Sequence, residues 1–300
     1  MYAKNKKVII LFLVPALFLL SLFVIGPMLY TFYMSLLDWE GPQVKGFVGL
    51  DNYFALFSRR EILNYRGLSR GRPPMGALPH NIIWIIIHVP LCTVLGLVLA
   101  YMLRDVRGAT IIKSIIFLGM VTPMVVGGVL LRFIYDKDAG VFNEFLRVVG
   151  LAQLARTWTA YPDTALYALI LGSVWIWTGF SMIVYSAGLE TIPPELIESA
   201  RVDGASEFMI FKEIVIPLLK PATIVVVTMS ILWALKIFDI VYVATLGGPG
   251  GASTVLALEM YMDAFFKIPP SYGTAAAIAS LLTLLTLGIA VYVAKYVVVR

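Results

Sequence analysis

Pro193-Pro194-Glu195-Leu196-Ile197-Glu198-Ser199-Ala200-Arg201-Val202-Asp203-Gly204-Ala205-Ser206-Glu207-Phe208-Met209-Ile210-Phe211-Lys212-Glu213-Ile214-Val215-Ile216-Pro217 closes a hydrophilic interlude between two apolar runs, 164–187 and 217–245. Each run exceeds the roughly 20 helical residues that cross about 30 Å of hydrocarbon. The interlude itself has local order. Pro193 and Pro194 suit a helical first turn, where no amide proton is needed, and Glu195 suits the positive end of the helix dipole. Leu196, Ile197, Ala200 and Phe208 give the segment an apolar side, while Glu198, Arg201 and Glu207 remain solvated. Gly204 permits a sharp backbone turn, and Asp203 is placed to cap a second helix. The reading is a helix–turn–helix lying on a membrane surface between two spans.

Working outward, six apolar runs are long enough to span: 8–37, 81–103, 111–135, 164–187, 217–245 and 273–298, with the interlude at 188–216. Composition agrees. Of 300 residues, 60% are hydrophobic and 14% charged, and the mean hydropathy is +0.90, against about 45–50% apolar and 25% charged in soluble domains. The fold class is all-α, a polytopic membrane protein of six transmembrane helices forming a single domain over 1–300. The first run follows Lys4, Lys6 and Lys7, yet it is far longer than the roughly 7–15 apolar residues of a signal peptide and no small-x-small site follows. It reads as a retained helix, bent near Gly26-Pro27. Pro15, Pro90 and Pro123 fall inside spans, where neighbouring helices and hydroxyls satisfy freed carbonyls. Cys92 stands alone, which excludes a disulfide framework or a zinc site. It reads as a small buried apolar residue.

Charge leaves orientation open. The net charge of +5 reflects loop arginines and N-terminal lysines beside anionic headgroups rather than nucleic acid. Six spans put both termini on one side, and with Lys236 set aside as inside a span the other 22 of the 23 lysines and arginines divide eleven against eleven between the two sides. The tight Arg104–Lys113 connection and the N-terminal lysines favour an inside amino terminus; the basic stretch Arg59–Arg72 opposes it.

The interlude resembles the signature loop of ABC importer permeases, written E-A-A, three residues, G, nine residues, I-x-L-P. Glu198, Ala200, Gly204, Ile214 and Pro217 match in register, while Ser199 and Ile216 depart conservatively. Asp203-Gly204-Ala205 is the form common in the carbohydrate-importing, maltose/glycerol-phosphate-type branch. The stretch from Arg132 to Asn143 resembles the segment after the third span of sugar permeases. Phe238 to Gly250 resembles the end of their fifth span and its outer loop, in the form of a first-permease-like subunit.

That resemblance implies a permease of a bacterial or archaeal cell membrane, with both termini cytoplasmic and 188–216 acting as a cytoplasmic coupling helix. Glu198, Ala200, Arg201, Asp203, Gly204 and Ala205 would then meet the ATPase, Glu198 and Arg201 by charge. It also implies the partners: a second homologous permease in a heterodimer, two cytoplasmic ATPase subunits holding ATP and Mg, and an extracellular solute-binding protein met at Gly247, Gly248 and Pro249. The cargo would be a carbohydrate. No enzyme activity, cofactor or metal of this chain's own is expected, and no nucleic acid.

Candidate path residues follow from sugar chemistry, which needs aromatic rings against pyranose faces and hydrogen-bonding groups at the rim. Trp177, Ser181 and Tyr185 recur at helical spacing on the fourth run, and Trp233, Asp239 and Tyr242 lie on the fifth. Aromatic residues also gather at membrane interfaces. Lys236 and Asp239, three apart, can pair on one helical face or sit separately at the interface. His88 reads as a helix–helix hydrogen-bonding residue. Gly247–Gly251 lacks the lysine and spacing of a phosphate loop. A secondary transporter, the rival reading, calls for inverted repeats and a midplane carboxylate; a membrane enzyme calls for clustered acids or histidines. The sequence displays neither.

Overall fold

The computed structural model describes residues 6–295. Lys4 and Arg300, counted among the inner charges, and the end of the sixth run at 298 lie outside the described residues. The first run forms α1 (Lys6–Leu20) and α2 (Gly26–Met34), joined by a π turn at Ser21–Ile25. The irregularity expected at Gly26-Pro27 is thus a π turn just before it, where the missing proline N–H leaves the ladder one donor short. This run stops at Met34 rather than 37, because Leu37 opens a strand.

A β-hairpin follows, which the sequence reading did not anticipate: β1 (Leu37–Glu40) pairs antiparallel with β2 (Gln43–Phe47) around Gly41-Pro42. Gly41 adopts φ 59°, a left-handed conformation that glycine tolerates at no steric cost. The chain continues through α3 (Asp51–Ser58), α4 (Tyr65–Arg70) and α5 (Ala77–Met102), which starts four residues before the expected second span.

The third run is not one helix. α6 (Ala109–Val121) and α7 (Met124–Ile134) meet at 102° across Thr122-Pro123. Proline disfavours the α region for the residue before it, and Thr122 is extended at φ −65°, ψ 126°. Pro123 therefore ends a helix instead of being absorbed in one. After α8 (Val141–Val148), α9 (Ala165–Glu190) is unbroken. The interlude holds α10 (Pro194–Val202) and α11 (Glu207–Ile210); a π turn, Phe211–Val215, leads into α12 (Ile216–Leu218). α13 (Lys220–Leu235) then departs at 69° to Glu207–Leu218. The fifth run breaks again at Lys236–Phe238 before α14 (Asp239–Thr245), and α15 (Leu256–Tyr261) and α16 (Tyr272–Val293) complete the described chain. Among the described residues, four helices are long and apolar enough to cross a membrane, and up to six spans result if each bent pair counts as one. The protein is a polytopic all-α membrane chain.

Contacts divide it into two compact units, one comprising the chain to Arg59 with Glu259–Leu284, the other Arg60–Leu258 with the chain from Leu285. In the first unit, Asn52 donates its amide to the Ser35 and Leu37 carbonyls at 2.9 and 2.8 Å. Arg59 donates to both Asp263 carboxylate oxygens, at 2.5 and 3.0 Å, and Thr274 donates to Asp263 at 2.9 Å. In the second unit α9 is the central element, buried along most of its length. Helices approach it through small residues, as membrane packing requires. Gly96 of α5 lies against Ser181 and the Met182 backbone, Gly119 of α6 against Ile176, and Gly179 of α9 against Phe117.

A Gly96→Val substitution should therefore force α5 off α9, at a cost of about 1–3 kcal/mol or more, read as a lowered melting temperature in detergent. Gly288→Val, where an added Cβ meets open space, should leave the melting temperature unchanged.

Candidate functional site

The hairpin of the interlude is built from backbone hydrogen bonds around one glycine. Gly204 has φ +81°. Its N–H donates to Arg201 O at 3.1 Å, and the Ala205 N–H donates to Ala200 O at 2.9 Å. This is the Schellman pattern, which closes the orphan carbonyls of α10. Asp203 is the C-cap of α10, not the cap of the next helix as expected. Ser206 takes that role, its Oγ accepting from the Met209 N–H at 3.2 Å, because the left-handed turn places residue 206 three before a free amide.

The hairpin has two apolar sides rather than one. Ile197, Ile210 and Val215 are buried in a cluster with Ala100 of α5, Met182, Tyr185 and Leu189 of α9, and Val226 of α13. Leu196 and Phe208, expected on the same side as Ile197, are 45% and 74% exposed, and Val202 is 88% exposed. At 100° per residue Leu196 and Ile197 diverge, and the hairpin fold turns Phe208 away from Ile210. Glu198 is exposed. Arg201, expected to await an external charge, donates to Glu207 at 2.7 Å, and Glu207 also accepts from the Tyr101 hydroxyl of α5 at 3.3 Å. The Glu207 carboxylate beside Arg201 holds that guanidinium's pKa above its ordinary value.

A second group lies on α9. Trp177, Ser181 and Tyr185 are all buried, and among the described residues the Trp177 Nε1 and Ser181 Oγ atoms have no hydrogen-bond partner. The Tyr185 hydroxyl donates to Thr223 at 3.1 Å. Trp233 of α13 stands 5.7 Å from Trp177, ring centre to ring centre. Trp177 and Trp233 come together, while Ser181 lies against Gly96 of α5 and Tyr185 reaches Thr223 of α13. Asp239 and Tyr242 do not join them, because they follow the break at 236–238, where Tyr242 stacks on Phe238 at 5.2 Å. The same break keeps Lys236 from pairing with Asp239, since the two no longer share a helix. Buried hydroxyls missed by the sequence reading are Thr93, Ser186, Ser230 and Ser280, also without a partner among the described residues. His88 does bridge helices, its Nδ1 lying 2.8 Å from Ser173 Oγ, and Cys92 is buried.

The glycine-rich loop is a compact turn. Leu246, Gly247, Gly250 and Gly251 have positive φ, and a Cβ on Gly247 would overlap Thr254 and Leu258. The Ser253 hydroxyl donates to Gly248 O at 2.7 Å and the Ser253 N–H to Gly247 O at 3.1 Å. Gly248 and Pro249 line a cavity of about 960 Å³ with the end of α7 and the 157–160 turn. Two side chains at the start of α5, also missed, fasten this loop. His80 accepts from the Met75 N–H at 3.0 Å, so its other nitrogen carries the proton and donates to Thr254 O at 2.7 Å. The Asn81 amide donates to Ala234 O and Leu235 O at 2.9 and 3.3 Å, while its oxygen accepts from the Leu256 N–H at 2.9 Å.

Residues 92–300 match the family described as binding-protein-dependent transport system inner membrane component. The chain belongs to this family. A probable ABC transporter permease protein of Pyrococcus horikoshii is 53% identical over 277 residues, 92% of this chain and 93% of that protein. The trehalose/maltose transport system permease protein MalF of Thermococcus litoralis is 32% identical over 97% of this chain and 94% of its own. A crystal structure of a bacterial alginate ABC transporter, in complex with an alginate pentasaccharide-bound periplasmic protein, matches with a TM-score of 0.77. It covers 96% of this chain and 93% of that one at 21% identity, a likeness of fold.

The permease is thus a multi-pass membrane subunit of a binding-protein-dependent ABC transport system. Within it, Asn81 closes the α13 terminus whose carbonyls the break would orphan. Asn81→Ala leaves those carbonyls and the Leu256 N–H without partners, at about 1–3 kcal/mol. The expected outcome is a lower melting temperature with membrane insertion retained, measured by thermal shift on purified permease.

Proposed function

We propose that this permease imports a carbohydrate by alternating access, as one half of a heterodimer with a second, similar permease. Two cytoplasmic ATPase subunits, which bind ATP and Mg, drive it, and an extracellular solute-binding protein delivers the cargo. In this reading both termini and the 188–216 interlude face the cytoplasm, and the interlude is the coupling helix.

One observation carries the reading: the hairpin is apolar on two opposite sides. Its inner side is sunk into the ends of α5, α9 and α13. Its outer side presents Leu196, Val202, Phe208 and Met209 beside the exposed Glu198. A surface element with a second apolar side needs a partner to cover it. An ATPase cleft seated there would move three spans through one rigid joint. Ala200 and Ala205 pack inward, Gly204 lets the turn be tight, and Arg201 steadies Glu207, so charge exchange with the ATPase falls to Glu198. The first span supports the heterodimer, since Ile10–Met34 has no buried residue in its most apolar window, a surface that lipid and a second permease can cover.

Carbohydrate as the cargo rests on the trehalose/maltose relative and on the α9 face. Trp177 and Trp233 supply ring surfaces, and unpartnered Trp177 Nε1 and Ser181 Oγ supply polar groups whose burial is costly unless something pairs with them. Gly247, Gly248 and Pro249 are assigned to the solute-binding protein.

The test is Gly204→Val. An added Cβ at Gly204 meets no neighbour within 4 Å, so the penalty is the left-handed backbone alone, roughly 1–2 kcal/mol. Expected is insertion at wild-type level with sugar uptake and ATPase stimulation reduced at least tenfold. Wild-type uptake in cells lacking the ATPase subunits would overturn the reading.

A further inference from the structure

The cavity of about 960 Å³ beside the glycine-rich loop is lined by two charged side chains, Arg132 and Asp136. Arg132 sits in the last turn of α7 and is exposed to the cavity, and among the described residues it has no ion pair. The carboxylate nearest in sequence is otherwise engaged: Asp136 Oδ1 accepts from the Asp138 and Ala139 N–H groups at 2.9 Å each. Those donors hold the Asp136 carboxyl below the usual range, and it closes a turn instead of meeting Arg132. Nearby arginines are satisfied within the chain, Arg147 by Glu144 at 2.8 Å and Arg156 by Asp163 at 2.6 Å. Arg132 is the exception.

The walls are fixed in advance. Asn143 donates to Asp136 O and Arg156 O at 2.6 and 2.9 Å and accepts from Trp158 Nε1 at 2.9 Å. The Thr157 hydroxyl accepts the Lys137 N–H at 3.2 Å, which leaves its proton free for a ligand. On the opposite side, Thr245 is held to Ser253 at 2.7 Å, and Gly248 and Pro249 form the rim. The recess holds both the Asp136 carboxylate and the Arg132 guanidinium. With Asp136 committed to its own turn, the guanidinium and the threonine hydroxyls suit a carboxylate, which a guanidinium binds by two parallel hydrogen bonds.

The geometry points to this cavity as the socket for an acidic side chain on the solute-binding protein, with Arg132 as its counter-charge. This rests on the assignment of the Gly247–Pro249 loop to that protein. The recess continues that loop, so the acidic group would enter beside residues already in contact.

The test uses the whole transporter in nanodiscs and its ligand-loaded solute-binding protein, with affinity measured at low and high salt and transport assayed in proteoliposomes. Expected for Arg132→Glu is an affinity at least about tenfold weaker at low salt, with the wild-type salt dependence largely lost, as for an interfacial charge pair. Arg132→Gln, which preserves length and polarity, should fall between, and it decides the matter if the glutamate variant fails to assemble. Binding of both variants at wild-type strength and salt dependence would overturn the socket while leaving loop docking intact. Wild-type transporter that ignores the binding protein would overturn the docking reading and the socket with it. Normal binding-protein affinity coupled with an altered sugar dependence of transport would also overturn it, by giving the cavity to the carbohydrate.

Discussion

Hydrocarbon offers a peptide group nothing to bond with, so each place where this chain interrupts a helix must be repaired from within. At Thr122-Pro123 the Thr122 hydroxyl returns to Leu118 O at 2.8 Å. At the 69° bend, Leu219 O accepts both the N–H and the hydroxyl of Thr223, at 2.9 and 3.1 Å. At the end of α13 the repair comes from another helix, through Asn81 of α5. The local repairs let a helix turn. The Asn81 repair does more, because the same carboxamide holds Leu256 beyond the glycine-rich loop. The glycine-rich loop and the broken fifth run are thereby one mechanical piece.

How much of this was legible in the sequence depends on which physical signal each feature leaves. Apolar length is written directly, so the runs at α5 and α9 and the start of α16 were placed to within a few residues. Which face of an apolar helix is inside is not written, because Leu and Val serve equally well against lipid and against protein. That is why Trp177, Ser181 and Tyr185 were found by spacing, while Thr93 and Ser230, isolated hydroxyls on other helices, were not. The 102° turn was underestimated, since Pro123 was weighed as one missing donor and not for its constraint on Thr122. The hairpin of β1 and β2 escaped because Leu36-Leu37 extends the apolar run past its helical end. Pairing across Gly41-Pro42, with Gly41 N–H bound to Pro270 O at 2.7 Å, is a long-range event.

The interlude was read more closely because its residues are chemically diverse. Its helices, its glycine turn and its surface position follow from local rules. The errors there are instructive. Asp203 and Ser206 are both good capping residues, and only the left-handed φ of Gly204 decides between them, by setting where the second helix starts. Arg201 and Glu207 are close only because that turn reverses the chain. Their pair is exposed, so it adds little stability, yet it orients Glu207 toward Tyr101 of α5.

That orientation bears on how force would travel. A lever transmits displacement only if its joint to the load is stiffer than its joint to the motor. The inner side of the hairpin is joined to α5, α9 and α13 by fully buried residues such as Ile210, Val215 and Leu219, and by the ring contact of Tyr101 with Phe211 at 4.6 Å. Close packing of this kind deforms little. The outer side offers separate apolar residues that can be gripped and released. The spans that would move, in turn, meet at Gly96, Gly119 and Gly179, where small residues let backbones approach without interlocking side chains. Stiffness at the hairpin and smoothness between the helices are complementary properties. Together they allow a displacement at residues 194–210 to tilt whole helices instead of bending one.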